Sequence, residues 1–221
     1  MIAITLTDLV CGRAGRAATR PIDWRLTGGE ALVVTGPNGA GKSTLLRTLA
    51  GLLPPVAGAI RIEGALPGGE PAGRLIELAH YFGHRNAMKP GRTVAEELGF
   101  WRRFLGRPAA GIEQALAAVD LPHAGRLPVG ALSAGQQRRV AFARLLVSDR
   151  PIWLLDEPTT ALDAASQARI SELCRERLRG GGIVIAATHQ PLELAGARIL
   201  ELVAPEPVAA AASDGGWDEV G

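Results

Sequence analysis

The residues with the clearest chemical meaning form one glycine-rich run near the start of the chain. The run is Gly36, Pro37, Asn38, Gly39, Ala40, Gly41, Lys42, Ser43 and Thr44. It fits the spacing G-x-x-x-x-G-K-[ST], in which the glycines let backbone N–H groups turn inward around phosphates. Lys42 is then expected to reach the β- and γ-phosphates of a nucleotide, and the Ser43 hydroxyl to take a Mg²⁺ position. The alternative is a glycine-rich turn that ends in Lys-Ser by coincidence, and the strand and helix patterns on either side disfavour it.

A pair of acidic residues follows a second apolar run. Residues 151–156 are apolar up to Asp156 and predict a buried strand. At its end, Asp156 is expected to hold Mg²⁺, commonly through water, and Glu157 to polarise a water that attacks the γ-phosphate. Two acids after an apolar strand would be a modest signal alone. Together with the glycine-rich run they indicate hydrolysis of a nucleoside triphosphate.

A second anion-binding helix start is predicted at Ser133, in the segment Leu132-Ser-Ala-Gly-Gln136. The Ser133 hydroxyl is expected to cap the helix, and the backbone amides after it form an anion site of the same physical kind as the first. Taken by itself, the segment is explained better as a simple capped helix. The chain thus carries two phosphate-seeking helix starts, at Ser43 and Ser133, but only one acidic strand end.

The elements that must position these residues alternate between strand and helix patterns. Strands are predicted at residues 2–10, 31–35, 58–64, 77–83, 151–156, 183–188 and 198–203. Helices are predicted at about residues 43–52, between 93 and 120, at 136–147 and at 164–179. Residues 58–64 alternate and are expected to be a hairpin strand of a small antiparallel sheet. The remaining alternation of strands and helices indicates a mostly parallel α/β core with a helical insertion near residues 85–148.

The bulk properties restrict the class of protein. The net charge of +2 on 221 residues is too weak to argue for a nucleic-acid partner. Cys11 and Cys174 have no metal or redox spacing and are expected to be small apolar residues in a reducing compartment. No apolar stretch reaches bilayer length, the alternating N-terminus is not that of a signal peptide, and residues 204–221 have the composition of a disordered tail. We therefore expect a soluble protein that reaches a membrane only through partners.

Together the motifs resemble those of the ATP-binding cassette (ABC) family of transporter ATPases. Besides the glycine-rich run, the resemblance is carried by Leu132-Ser-Ala-Gly-Gln136 as the signature, Leu154-Leu-Asp-Glu-Pro158, Ala161-Leu-Asp163 as the D-loop, and His189 as the switch histidine. It covers roughly residues 1–203. It implies a P-loop NTPase of the ABC type, with a RecA-like α/β core, a small antiparallel β subdomain and an inserted α-helical subdomain.

The resemblance also implies ATP and Mg²⁺ as cofactors and a head-to-tail homodimer. The signature of one subunit, with Ser133, Gly135 and Gln136, would close on ATP that is held by the phosphate loop of the other. Asp163 would communicate across this dimer. Within each site, the family pattern gives catalytic roles to Lys42, to Glu157 as general base and to His189 as a contact of the γ-phosphate.

Several stretches resemble one subgroup, the ATPase subunits of bacterial haem exporters that serve cytochrome c maturation. They are Tyr81-Phe-Gly-His84 with Met88-Lys89, the signature with its following residues, and Thr188-His-Gln-Pro-Leu192. The resemblance implies a peripheral subunit on the cytoplasmic face of the bacterial inner membrane, coupled to membrane permease subunits. One alternative is an ABC ATPase that exports another substrate, such as a polysaccharide or a drug. The other is a soluble ABC ATPase of DNA repair or translation, a class that usually has a long coiled-coil insertion or two cassettes in one chain.

Departures from the family pattern lead to three further hypotheses. Most cassettes have Gln where His84 stands. Because Mg²⁺ prefers oxygen ligands, His84 is expected to act through water or on the γ-phosphate, which would make turnover pH-sensitive near neutrality; a purely positional role is the alternative. Residues 11–20 offer no aromatic ring to adenine, so Arg13 is a candidate to stack on the base. His80 and His84 together suggest haem ligation, but strand alternation and a role in the nucleotide site explain them better.

Overall fold

The computed structural model describes residues 2–65, 69–106, 108–190 and 192–203. Within these ranges the strands are β1 (Ala3–Val10), β2 (Gly12–Arg13), β3 (Arg16–Ala17), β4 (Ile22–Thr27), β5 (Ala31–Thr35), β6 (Ala57–Glu63), β7 (Ala79–Phe82), β8 (Ile152–Asp156), β9 (Ile183–Ala187) and β10 (Arg198–Glu201). The α-helices are α1 (Lys42–Leu49), α2 (Val94–Leu105), α3 (Ile112–Ala118), α4 (Ala134–Leu146) and α5 (Ala164–Arg179). Short 3₁₀ turns are formed by Leu75–Glu77, Ala124–Arg126 and Val129–Ala131.

A parallel sheet forms the centre of the molecule. Its strand order is β10-β5-β9-β8-β7, and every neighbouring pair is parallel. Strands β8 and β9 are buried at every residue, as continuous apolar runs require when helices cover both faces of a sheet. Because parallel strands end at the same edge, the segments after β5, β8 and β9 meet there. This confirms the predicted mostly parallel α/β core.

A second, antiparallel sheet has the order β4-β1-β6. Residues 58–64 were expected to be a hairpin strand of a small antiparallel sheet: the antiparallel sheet is confirmed, but the hairpin is wrong, because β6 pairs with β1, from which β2 to β5 and α1 separate it along the chain. Strand β4 was not predicted. Only Ile22 and Leu26 of its residues are buried, so its sequence carries a weak period-2 signal.

Helix α1 packs between the two sheets. Leu45, Leu46 and Leu49 are fully buried in a cluster that includes Ile4 of β1 and Leu154 of β8. An amphipathic helix with a broad apolar stripe can cover both sheets at once. The start of α1, which is the end of the glycine-rich run, is thereby fixed against the edge of the parallel sheet.

Helices α2, α3 and α4 lie in the chain between β7 and β8, where the helical insertion was predicted. They share a core cluster with the opposite side of the parallel sheet from α1. In this cluster the ring of Phe142 of α4 forms edge-to-face contacts with Phe82 and Trp153 at centroid distances of 5.5 and 5.4 Å. Val140, Ala143 and Val147, predicted to share one face, are all buried.

Several element boundaries differ from the prediction. Helix α1 ends at Leu49 rather than near residue 52, and α4 begins at Ala134 because Ser133 is its cap. The strand expected from residue 77 begins at Ala79, since Leu75–Glu77 form a 3₁₀ turn, and β10 ends at Glu201. The expected surface loop at residues 66–73 lies partly, and the expected tail at 204–221 wholly, outside the described residues. Within the described ranges, no helix combines the length and apolar character that a bilayer crossing needs.

Candidate functional site

The glycine-rich run connects β5 to α1 and presents the start of the helix at the sheet edge. Gly36, Gly39 and Gly41 have positive φ values of 132°, 85° and 96°, a region that glycine adopts without strain. At Gly41, a Cβ atom would also lie 2.8 Å from Cγ2 of Thr19. Gly41 is the N-cap of α1 and has no side chain to accept from the first helical amides. These amides lack intrahelical acceptors and are therefore available to an anion.

Lys42 is buried at the base of this loop. Its Nζ donates to the carbonyl oxygens of Gly36 at 2.7 Å and Pro37 at 3.0 Å. In the described part of the chain it forms no ion pair with a carboxylate. The ammonium group therefore stabilises the loop and keeps its positive charge uncompensated beside the free helix amides, as a phosphate site requires.

Ser43 and Asp156 place two oxygen ligands side by side. The Ser43 hydroxyl donates to Oδ1 of Asp156 at 2.9 Å, and the Tyr81 hydroxyl lies 3.4 Å from Oδ2. Burial raises the pKa of Tyr81, so this hydroxyl keeps its proton and can donate it. Among the described residues no cluster of three or more His, Cys, Asp or Glu could hold a metal alone. The pair fits Mg²⁺, which binds few protein oxygens and completes its shell with phosphates and water.

Glu157 follows Asp156 in a strained backbone conformation at the mouth of the site. Its φ is +49°, its N–H donates to Ala187 O at 2.8 Å, and its side chain is 20% exposed. The carboxylate accepts from the His189 backbone N–H at 3.4 Å, and Nε2 of His189 lies 3.8 Å from Oε1. A non-glycine residue at positive φ is uncommon and is typical of functional sites.

A cavity of about 480 Å³ lies between the phosphate loop and the Glu157–His189 pair, and Asp156 adjoins it through its hydrogen bond with Ser43. The lining residues are Asn38, Gly39, Gly41, Lys42, Ser43, Thr44, Glu157, Thr160, His189 and Gln190. The structure therefore brings the predicted phosphate loop together with the predicted base and switch histidine. Thr160 and Gln190 were not among the predicted site residues: Gln190 entered only as part of the stretch Thr188-His-Gln-Pro-Leu192, and Thr160 has no signal in the sequence that assigns it a role.

The second predicted anion site, at the start of α4, is a complete capping box. Oγ of Ser133 accepts from the Gln136 N–H at 3.2 Å, and Oε1 of Gln136 accepts from the Ser133 N–H at 2.9 Å. These two side chains satisfy each other, which leaves the amides of Ala134 and Gly135 without an intrahelical acceptor. A Cβ at Gly135 would lie 3.2 Å from Ala161 O, so the helix start packs against the predicted D-loop.

Asp163, the predicted D-loop acid, caps α5. Its Oδ1 accepts from the Ser166 N–H at 2.8 Å. Hydrogen bonds from Ser166 hold the pKa of the Asp163 carboxyl below its ordinary value, so the group stays ionised. Neither Asp163 nor the Ser133 capping box is among the described residues that line the phosphate cavity. Within one chain, the two predicted anion sites are separate.

Three predicted or considered residues lie away from the phosphate cavity. His84 is exposed and lines another cavity with Asn86 and Gln137, and Arg13 is exposed on the β2–β3 hairpin. Their proposed roles toward Mg²⁺ and adenine stay predictions.

Buried His80 donates from Nε2 to Ser148 O at 2.8 Å. Burial, reinforced by nearby arginines, lowers its pKa to about 3. Packing in β7 accounts for His80.

A model of the ABC transporter family matches residues 19–160, well over half of the chain. The chain belongs to the ABC transporter family. This ABC ATPase is 52% identical over 187 residues to the cytochrome c biogenesis ATP-binding export protein CcmA of Rhodopseudomonas palustris (strain BisB5), covering 85% of this chain and 92% of the relative. It is 57% identical over 185 residues to the protein of the same name from Rhizobium meliloti (strain 1021), with 82% and 88% covered.

A solved structure supports the same family at the level of fold. The dimeric post-hydrolysis structure of the ATP-binding cassette MJ0796, bound to ADP and Pi, superimposes with a TM-score of 0.75 at 26% identity. The match covers 90% of this ABC ATPase and 94% of the other chain. The predicted P-loop NTPase fold of the ABC type is thereby confirmed, and so is its resemblance to the ATPases of cytochrome c biogenesis.

Proposed function

We propose that this ABC ATPase is the ATP-hydrolysing subunit of an exporter that serves cytochrome c biogenesis, and that haem is the exported substrate. The observation that carries the catalytic part is the cavity that is lined by the phosphate loop, Glu157 and His189, with Asp156 hydrogen-bonded to the lining residue Ser43. Identities above 50% to proteins named as cytochrome c biogenesis export proteins support the process. The choice of haem rests on the subgroup resemblance of the stretches around His84 and His189.

ATP binding follows from the first half of the site. Bound phosphates would accept from the amides at the start of α1 and from Nζ of Lys42, which is poised beside them on two loop carbonyls. The Ser43 hydroxyl and the Asp156 carboxylate would hold Mg²⁺, which when bound neutralises phosphate charge. The buried carboxylate of Asp156 is fixed by two hydroxyl groups, so little reorganisation is needed on binding.

Hydrolysis would use the second half of the site. The Glu157 carboxylate would take a proton from a water whose oxygen attacks the γ-phosphorus as the bond to the leaving ADP oxygen breaks. The His189 ring lies next to this carboxylate and would contact the γ-phosphate. The backbone N–H of His189 already donates to Glu157, which directs the base toward the cavity.

A homodimer explains the separation of the two anion sites within one chain. The start of α4, with Ser133, Gly135 and Gln136, would close on ATP bound to the partner subunit, and Asp163 would lie at the dimer contact. The dimeric form of the related cassette MJ0796 supports this arrangement. Since the Ser133 and Gln136 side chains bond to each other, the first contacts available to the partner's ATP are the amides of Ala134 and Gly135.

The proposed assembly places the chain on the cytoplasmic face of the bacterial inner membrane, bound to membrane permease subunits. The membrane would be reached through these partners only, and nucleic acid is not a partner. The helical segment α2–α4 would pass the closing motion of the dimer to the permease. An ABC exporter for another substrate is the second candidate function, since the site residues of this chain would contact ATP rather than the cargo.

The process and the substrate can be tested separately. In a strain that lacks this chain, c-type cytochromes should be absent from haem-stained gels, and the wild-type chain but not Glu157→Gln should restore them. Inverted membrane vesicles that contain the complete exporter should then accumulate haem only when ATP and Mg²⁺ are supplied. Restoration by Glu157→Gln would contradict the ATPase role. ATP-dependent cytochrome maturation without haem accumulation would contradict only the choice of haem.

A further inference from the structure

A buried arginine on α4 joins the catalytic strand to the helical segment. Arg138 is 5% exposed, and its Nη2 donates to the backbone carbonyls of Asp156 at 2.9 Å and Glu157 at 2.6 Å. The first carbonyl belongs to the peptide bond between the proposed metal ligand and the proposed base, and the second belongs to the peptide bond that follows the base. The N–H of Glu157 is held by Ala187 O from the other side. The strained turn at Glu157 is thus fixed at both its amide and its carbonyl.

The other half of the same guanidinium holds the loop that carries His84. Nη1 of Arg138 donates to Gly83 O at 2.9 Å, to His84 O at 3.2 Å and to Oδ1 of Asn86 at 3.2 Å. The guanidinium carbon Cζ also lies over the ring of Phe82, at the end of β7, 4.0 Å from the ring centroid. One side chain therefore connects α4, the end of β8 and the loop after β7.

A purely structural role is a weak explanation for burying this arginine. Burial lowers the pKa of Arg138 to about 10, so the group still carries its charge at neutral pH. Removing a charge from water is costly, and apolar residues of similar size often replace buried charges without loss of stability. Nothing about packing against Phe82 requires a guanidinium. Its planar fork does match two pairs of carbonyls that point at it from different segments.

We propose that Arg138 is a positioning residue of the ATPase: it sets the Glu157 backbone so that the carboxylate faces the cavity beside His189. The inference rests on the proposed function, in which Glu157 is the base. Because Arg138 lies little more than one turn after the Ser133 cap, any shift of the α4 start or of the His84 loop is passed to Glu157 through the same guanidinium. Misplacing a reacting group by about 1 Å costs on the order of 10²-fold in rate.

The neighbouring Arg139 provides a matched control. Its Nη1 donates to the carbonyls of Val119 and Asp120, each at 3.1 Å, within the helical segment and away from the phosphate cavity. The two arginines are neighbours on α4, and each donates to consecutive backbone carbonyls of another segment. Only Arg138 reaches the catalytic strand.

The experiment compares Arg138→Lys and Arg138→Met with Arg139→Lys and Arg139→Met in the full chain. We expect both Arg138 variants to lower kcat for ATP by roughly 10²-fold and to leave the Kd for ATP unchanged. The Arg139 variants should keep the wild-type kcat. Thermal unfolding of each variant shows which of them are folded, and Arg138→Lys keeps the charge if Arg138→Met is unstable. Glu157→Gln is measured in the same assay.

The outcomes separate this inference from the proposed function. A folded Arg138→Lys with wild-type kcat would overturn the positioning role if Glu157→Gln is inactive. Full activity of Glu157→Gln would instead overturn the proposed base. Equal losses in the Arg138 and Arg139 variants, or parallel losses of kcat and ATP affinity, would reduce Arg138 to a structural contact. Failure of both Arg138 variants to fold would lead to the same conclusion.

Discussion

At the scale of single residues, two neighbouring carboxylates have opposite surroundings. Asp156 is 2% exposed, and two hydroxyl groups approach its oxygens, whereas Glu157 reaches the cavity beside His189. The difference arises because β8 ends between them and the chain turns at positive φ. A carboxylate held by fixed donors suits metal binding, and a freer one suits proton transfer.

The first prediction concerns Glu157. Glu157→Gln keeps the size of the side chain but removes the proton acceptor, so ATP binding should be retained while kcat falls by roughly 10²–10⁴-fold. Dimers should accumulate in the presence of ATP and Mg²⁺, measured by gel filtration, because the closed state no longer hydrolyses its ligand. Lys42→Ala is the contrasting variant: it should lose ATP binding itself, since the ammonium is a direct phosphate contact. Normal phosphate release by Glu157→Gln would remove this residue from the chemistry.

Buried His80 should make the free energy of unfolding depend on pH. Its pKa is near 3 in the folded chain and 6.5 in a free side chain, so only the unfolded state takes up a proton at mildly acid pH. The free energy of unfolding should therefore be fully retained above pH 6.5 and fall as the pH drops toward 3. Between about pH 7.5 and 5.5 the loss from this group is about 1.4 kcal/mol. Urea unfolding at the two pH values measures it.

The variant His80→Gln isolates the contribution of this ring. His80→Gln removes the titrating ring while an amide N–H can still donate to Ser148 O, and it should reduce the pH dependence by that amount. An unchanged pH dependence in His80→Gln would show that other groups cause the acid destabilisation.

At the scale of elements, two helices begin with the same device. Thr93 and Glu96 form a capping box at the start of α2, and Ser133 and Gln136 form one at the start of α4. Their hydroxyl-to-amide distances are both 3.2 Å. The two starts therefore have similar local stability, but only the second is proposed to bind a phosphate.

Removal of the two N-cap hydroxyls should cost similar stability but affect ATPase activity differently. Thr93→Ala and Ser133→Ala should each reduce the free energy of unfolding by roughly 1 kcal/mol, measured by urea denaturation. ATPase activity at saturating ATP should remain at the wild-type level in Thr93→Ala and should be lost in Ser133→Ala. Equal activities of the two variants would mean that Ser133 is a cap and nothing more, which is what its segment indicates when it is taken alone.

Elements with a strong local pattern in the sequence were predicted correctly, and elements without one were not. Strands β5, β8 and β9 are continuous apolar runs in a parallel sheet, and helix α5 has its Asp163 cap, so their bounds were close to those observed. Strand β4 is half exposed and β2–β3 is a two-residue pairing, and neither has enough periodicity to be recognised. The hairpin expected at β6 was wrong, because pairing with a distant strand such as β1 leaves no local pattern in the sequence.

At the scale of the whole molecule, the site unites residues that are far apart in sequence. Ser43 and Asp156 are 113 positions apart and meet because β5 and β8 end at one edge of the sheet. Motif spacing predicted the chemistry of these residues. It could not predict Arg138, since a basic residue inside an apolar helix face has no signal until the carbonyls that it binds are placed around it.

In the proposed dimer each ATP site takes residues from both subunits, and mixtures of variants can test this. Lys42 and Glu157 line one cavity within a chain, whereas the Ser133 helix start is expected to serve the partner's ATP. Lys42→Ala and Ser133→Ala should each be inactive alone. In a head-to-tail mixed dimer both defects fall in one site, and the other site is intact. Random pairing in a 1:1 mixture makes about half of the dimers mixed, so about a quarter of all sites should be intact. Lys42→Ala mixed with Glu157→Gln is the control, because each site of that mixed dimer keeps one defect. Phosphate release by the first mixture but not the second is expected, and equal inactivity of both mixtures would contradict the shared site.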